Sequence, residues 1–456
     1  MMKNRIYILL FLICCYGCED FVEVELPDSQ LTGTTVFNDP NTANAALAHI
    51  YTRLRDTGFL TGSSLGSTTA MGLYADELKY FGGAGTPNLE LYNNALLPSS
   101  SVASQLWNES YYLIYCSNAV IEGVEQSQAL ETEDRNRFSG EAHFLRALVH
   151  FCLLNAYGDI PYVSTTNYEQ NRLVSRMSAT EVYTRIIADL DTAIALLPIE
   201  DLTGERVRPN KGAAYAIMAR VRLYLGQWAE AADAASAVIN DSQYAWETDL
   251  DFVFLRQSTS TIWQAKPLQE GDNTYEARAF IFLEGPPPTM SLTQELIDSF
   301  EAGDLRKSHW IGSVTDGTYT WYYPYKYKQN TNTGTSVEYS ILLRLAEQYL
   351  IRAEARARQG ELIGAVTDLN KVRARAGLGA TGATTAEDIV TAILEERRHE
   401  LFTEYGHRFF DLKRTGGLDA ALSEVKPGWD THDRLWPVPE TEILANPNLL
   451  PQNTGY

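Results

Sequence analysis

Apolar positions recur at three- and four-residue spacing over most of this chain, the mark of helices that each bury one face. Nine stretches carry the pattern: Ala43 to Arg55, Leu106 to Val124, Gly140 to Tyr157, Ala179 to Leu197, Lys211 to Leu225, Trp228 to Ile239, Ile341 to Arg358, Leu362 to Ala376 and Ala386 to Glu404. Pro198, Pro209 and Gly360 punctuate them, because proline cannot continue a helix and glycine closes one without strain. Between about Asn240 and Glu338 the pattern changes to β-prone pieces, "TIWQAKPL", "FIFLEG" and "TYTWYYPYKYK", broken by "GPPP" and "TDG" turn signals. The expectation is one domain over residues 41–456: a helical scaffold over about 41–239 and 341–415, interrupted by a mixed α/β insertion at about 240–340. Residues 416–456, rich in Pro, Gly and Asn, carry little period and are expected to wrap the surface.

Two helix pairs share a spacing. In "RVRLYLGQWAEAADAASAVI" Gly226 is followed five residues later by Ala231, and in "LIRAEARARQGELIGAVTDLNKVR" Gly360 and Ala365 repeat the offset. This resembles the tetratricopeptide pattern, in which glycine closes the first helix and a small residue lets the second approach closely. The repeat is degenerate and interrupted, so a helical scaffold with grafted loops fits better than a regular solenoid.

The densest apolar run, Ile6 to Ile13, follows Lys3 and Arg5 and is far shorter than the roughly 20 residues that span a bilayer. Residues 1–17 therefore read as a secretion signal. Gly17-Cys18 resembles the lipobox of bacterial lipoproteins, although Cys15 and Tyr16 depart from its usual upstream residues. That resemblance implies cleavage before Cys18 and acylation of its sulfur, with residues 18–40 as an acidic tether and N-terminal segment. The alternative is soluble secretion, with Cys18 merely the last thiol of a Cys-rich run.

The formal charge of -21 over 456 residues argues against nucleic acid as a partner, since phosphate binding needs clustered Lys and Arg. Three of the five cysteines lie in or beside the signal, and Cys116 and Cys152 fall on apolar helix faces, where buried thiols are expected rather than a disulfide.

Few residues carry recognisable chemistry. "GLGATG", Gly377 to Gly382, has the letters of a dinucleotide-binding turn but follows a helix instead of a strand, so a helix end is expected there. Asp76-Glu77 are adjacent and point in different directions, unlike the spaced carboxylates of glycoside hydrolysis. His399 and His407 lack a third ligand at metal spacing, and no nucleophile elbow, phosphate loop or His-Glu-x-x-His appears. No enzyme, cofactor or metal is expected. The aromatic residues remain. Trp107, Tyr111 and Tyr115, at helical spacing, are expected in the core. Tyr319, Trp321 and Tyr323 alternate with Thr320 and Tyr322 in a strand-like run that puts rings on both faces. Tyr80, Phe81 and Tyr92 flank the loop "FGGAGTPNLELYNN". Rings beside amides suit sugar recognition, because the apolar face of a sugar stacks on a ring while amides bind its hydroxyls. The candidate ligand residues are therefore Tyr80, Phe81, Asn88, Tyr92, Asn93, Tyr319, Trp321 and Tyr322.

Six blocks, "GEAHFLRALVHFCLLNAYGDIPYV", "RVRPNKGAAYAIMARVRLYLGQW", "LLRLAEQYLIRAEARARQG", "LNKVRARAG", "ILEERRHELFTEYGHRFFDLKRTG" and "LWPVPETEILANPNLLPQNTGY", resemble in order the signature segments of the SusD/RagB family of outer-membrane nutrient-binding lipoproteins. One departure is "FTEYGHR", where the family more often has Phe-Glu-Gly before His-Arg. The resemblance implies a mainly α fold, a right-handed superhelix of tetratricopeptide-like helix pairs supporting an irregular mixed half. It also implies a lipid-anchored position on the cell surface and partnership with a SusC-like TonB-dependent transporter. Family ligands are mostly glycans, with some members binding peptides. The shared motifs bear the scaffold and carry no ligand residues across. A peptide-binding adaptor and an exo-acting hydrolase are the competing readings.

Overall fold

The computed structural model describes residues 36–456; the expected signal at residues 1–17 and Cys18 lie outside them. The fold is mainly α. Its scaffold comprises α1 (Pro40–Asp56), α2 (Ser67–Tyr74), α3 (Pro87–Tyr92), α4 (Ser101–Gln126), α5 (Thr132–Tyr157), α6 (Ala179–Leu196), α7 (Lys211–Tyr224) and α8 (Trp228–Ile239). The insertion carries α9 (Gln294–Ser299), and after it come α10 (Leu345–Arg358), α11 (Leu362–Arg375), α12 (Ala386–Glu400), α13 (His407–Thr415) and α14 (Leu418–Leu422), with several shorter turns between. The long helices stack in sequence, α4 on α5, α5 on α6, α6 on α7 and α7 on α8. Helix α8 then packs directly on α10, and α10 on α11 and α12, so the insertion is looped out of a continuous stack.

Small residues make this stacking close. Ala213, Ala214, Ala216 and Ala219 of α7 meet Ala231, Ala234 and Ala235 of α8, all buried. Gly226 and Gly360 close the first helix of each pair with φ of +69° and +83°, a conformation that costs other residues about 1 kcal/mol. Ser178 starts α6 with a reciprocal capping box to Glu181.

The boundaries differ from the periodicity where a segment is uniformly polar or uniformly buried. Helix α5 begins at Thr132, ahead of Gly140, because the polar run Thr132 to Arg137 carries no apolar period. The stretch from Ile341 is strand until Arg344 and helix only from Leu345, since an apolar run of this length fits a buried strand equally well. The helix from Ala386 stops at Glu400, where Thr403 and Tyr405 take positive φ before α13. Tyr115 is exposed on α4 rather than in the core, whereas Trp107 is buried and Tyr111 half-buried. The tail does more than wrap the surface: Trp436 and Val438 are fully buried, and Trp436 N donates to the Ala156 carbonyl at 2.8 Å. Cys116 and Cys152 are free thiols and half-buried.

Six strands complete the fold: β1 (Leu78–Tyr80), β2 (Thr261–Ala265), β3 (Met290–Leu292), β4 (Ile311–Thr315), β5 (Thr320–Pro324) and β6 (Ser340–Arg344). One antiparallel sheet has the order β1-β3-β5-β4, and β2 pairs with β6. Leu78 lies opposite Leu292, and Leu292 opposite Tyr322, which brings the segment after α2 beside the insertion. A buried ion cluster ties the insertion to the scaffold. Arg306 bonds Asp304, Glu396 and Glu400, Arg344 bonds Glu400 and Glu404, and Lys326 bonds Glu404. Glu404 belongs to the unusual "FTEYGHR" segment, so this stretch is fixed by charge as well as by packing.

The ends of the α4–α5 hairpin have distinct neighbours. Near one end Phe37 enters the fold against Gly123, where a Cβ would strike its ring at 2.0 Å. Toward the other, Trp107 packs on Tyr157 (ring centroids 5.0 Å), Tyr157 on Trp436 (5.9 Å) and Trp436 on Tyr74 (5.8 Å), the residue that ends α2.

Candidate functional site

Directly after Tyr74 the chain enters a cleft of 870 Å³ between the four-stranded sheet, α3 and the segment following α14. Its walls are aromatic. Phe81 follows β1, Tyr92 ends α3, and Tyr319, Trp321 and Tyr322 come from the β4–β5 hairpin. The hairpin turn is set by Asp316, whose carboxylate accepts from the N–H groups of Thr318 and Tyr319 at 2.8 Å each. Tyr319 is left 65% exposed, its ring centroid 6.1 Å from that of Trp321 at an interplanar angle of 41°. The Trp321 ring lies flush against Gly285, where a Cβ would come within 2.0 Å of it. Tyr322 packs on the core and still borders the cleft, so neighbouring residues of β5 both reach it.

The buried end of the cleft is charged. Asp76 receives Arg408 Nε at 2.9 Å, Arg408 Nη2 at 2.7 Å and Arg398 Nη2 at 3.2 Å. Burial opposes ionisation there, but Arg408 and then Arg398 hold the Asp76 carboxyl below the usual carboxylate range. Glu77 turns away, its Oε1 accepting from Thr403 N at 3.1 Å, and burial with the neighbouring Asp76 charge pushes it up to about 7. Lys426 donates to the Leu73 carbonyl and stands 4.2 Å from the centre of the Tyr92 ring.

Of the eight residues predicted from sequence, Phe81, Tyr92, Tyr319, Trp321 and Tyr322 are brought together around this one cleft. Tyr80, Asn88 and Asn93 are not among its walls. The Tyr80 hydroxyl bonds the Gly83 carbonyl at 3.0 Å and Thr86 Oγ1 at 2.6 Å, so this ring holds its own loop closed. Asn88 and Asn93 belong to a short helix and its end rather than to a loop, and the Asn93 carbonyl packs against Gly428. Sequence reasoning missed Lys79, Arg398, Arg408 and Lys426 as lining residues, because they converge from distant parts of the chain. Only the density of basic residues in "EERRHE" and "GHR" gave a signal. His399 and His407 are both buried and do not form a metal site. Burial pushes His399 down to about 3 while Ser299 Oγ lies 3.0 Å from its Nε2. Among the described residues no group of three His, Cys, Asp or Glu is placed to hold a metal ion. Gly377, with φ of +76°, closes α11, so "GLGATG" is a helix end.

Two family profiles match the chain. One, described as "Starch-binding associating with outer membrane", covers residues 81–224, and the SusD family profile covers residues 299–456. The chain belongs to the SusD/RagB family. Among relatives, SusD-like protein P2 of Formosa agariphila is 27% identical, with all of both chains aligned. Among solved structures, a SusD superfamily protein from Bacteroides vulgatus superposes with a TM-score of 0.78 at 22% identity, over 92% of this chain and 99% of the other. A laminarin-binding SusD-like protein gives 0.77 at 24%, over 91% and 99%. This SusD/RagB member thus shares its fold with a SusD-like protein that binds laminarin. No helix among the described residues is long and apolar enough to cross a membrane. The stretch from 225 to 298, which neither profile matches, supplies β3 to the cleft and Gly285 to the back of the Trp321 ring.

Proposed function

We propose that this protein is a non-catalytic surface receptor that captures oligosaccharides in the aromatic cleft and delivers them to a SusC-like TonB-dependent transporter. A lipid on Cys18 holds it to the outer membrane, after removal of residues 1–17. The observation that carries the reading is the pair Tyr319 and Trp321, tilted together and open to solvent at a cleft of 870 Å³, large enough for several sugar rings. Exposed rings in that arrangement offer the apolar faces on which sugars stack. A binding role is favoured over hydrolysis because both Asp76 oxygens are held by arginines and Glu77 Oε1 by a backbone N–H, so neither of these adjacent carboxyl groups is free to serve as acid or nucleophile. The laminarin-binding protein of the same fold is consistent with a glycan as ligand. Calorimetric titration against a glycan panel tests the reading. Trp321→Ala should cost about 1–3 kcal/mol of affinity with little change in melting temperature. Unaltered binding by this variant sinks the platform, and binding of extended peptides with no glycan binding favours a peptide receptor.

A further inference from the structure

The buried end of the cleft is charged against the sign of the molecule. The chain carries -21 overall, yet Arg398, Arg408 and Lys426 gather there with Asp76 as the one buried carboxylate of the cleft wall, Arg398 Nη1 also standing 3.9 Å from the exposed Glu395. Both Asp76 oxygens are taken by the two arginines. Arg398 Nε is buried without an acceptor. Lys426 is only 4% exposed, and its one hydrogen-bond partner among the described residues is the Leu73 carbonyl. Burial drives its ammonium down to about 7, with the already-paired Asp76 charge as the opposing influence. Burial, with the Asp76 charge beside it, raises Glu77 to about 7, so it supplies only part of a counter-charge. The remaining acids of the cleft, Glu295 and Glu424, are exposed, as is Lys79, so water and salt screen them.

Cations gathered in low dielectric with too few counter-charges are costly, and a hydroxyl offers them less than an anion does. From this geometry we infer that the cleft takes acidic glycans, whose carboxylate or sulfate groups pair with Lys426 and Arg398 while the sugar rings stack on Trp321 and Tyr319. The inference rests on the cleft being the glycan site and adds the ligand's chemical class. It also gives the Tyr92 ring a function: holding the Lys426 ammonium at the cleft without neutralising it.

Titration of the protein with two matched pairs tests this: an oligogalacturonide against its methyl ester, and a sulfated carrageenan oligosaccharide against its desulfated form. At low ionic strength the acidic member of at least one pair should bind about tenfold tighter than its neutral partner, and the gap should shrink as salt is added. The pair that shows the gap distinguishes carboxylate from sulfate. Lys426→Met should close most of the gap, weakening the acidic member of the pair far more than the neutral one. Equal affinity within both pairs overturns the inference, as does a gap that Lys426→Met leaves intact; if Trp321→Ala still weakens binding in either case, the platform reading survives alone. Binding of none of the four sugars overturns both. Should Lys426→Met not fold, a preference in the unaltered protein that salt does not diminish overturns the inference by itself.

Discussion

Gly285 offers a test of the ring platform that leaves every ring in place. A Cβ at this position would lie 2.0 Å from Cζ3 and 2.3 Å from Cε3 of Trp321. Ordinary carbon contacts begin near 3.4 Å, so Gly285→Ala forces the indole to move by about 1.4 Å or the segment bearing Gly285 to retreat by as much. The indole yields more easily than the backbone, because it stands half-exposed at the cleft. A gap of even 0.5–1 Å forfeits about a quarter to a half of a dispersion contact. The displaced ring should therefore lose about 1 kcal/mol of stacking, roughly five- to tenfold in affinity. Calorimetry on the single variants and on Gly285→Ala combined with Trp321→Ala closes a double-mutant cycle. Once the indole is gone the glycine substitution should cost almost nothing, and the thermal melt of Gly285→Ala should stay near that of the parent. Equal losses in both backgrounds would refute the reasoning, since Gly285 would then act on something other than Trp321.

Trp107→Ala should do the reverse of a platform variant: it opens a cavity against Tyr111 and Tyr157, costing about 3–5 kcal/mol in chemical denaturation while sugar binding persists in whatever protein folds. Cys18→Ala should move the protein out of the outer-membrane fraction without changing its melt; fractionation that stays the same in cells lacking the transporter rejects acylation at this thiol. Glu77 has its folded pKa raised to about 7, so the folded state holds its proton more tightly than the unfolded chain and this group's contribution to stability declines as pH rises from about 4.5 to 7. Glu77→Gln should remove that decline and melt higher than the parent at pH 8, relative to their difference at pH 4; a parallel pair of pH profiles would show that Glu77 does not carry it.

The long helices were legible because each buries one face and solvates the other, which leaves a period in the sequence. Helix α2, "STTAMGLY", was not: all eight residues are buried, so no polar face marks its turns. Strand β6 was hidden for the same reason, being buried along its whole length and continuous with the apolar start of α10. The rings of the cleft were legible as aromatics that no period buries, and Trp321 and Tyr92 are of that kind. Its charged end was not, because Asp76, Arg398, Arg408 and Lys426 meet across some 350 positions and each looks locally like a solvated charge. Tyr80 failed for a more local reason, its hydroxyl being consumed by the very turn that displays its neighbours.

The α4–α5 hairpin also acts as a lever. Phe37 enters the fold against Gly123, sixteen residues along α4 from the aromatic contacts of Trp107 that lead to the cleft. At 1.5 Å per residue that is an arm of about 24 Å. Two 26-residue helices packed along their length make the arm stiff. A pivot of about 10° at the Phe37 end would carry the Trp107 end through about 4 Å, more than the span of a hydrogen bond. Slight angular play at one end of the hairpin would thus become a large displacement at the other.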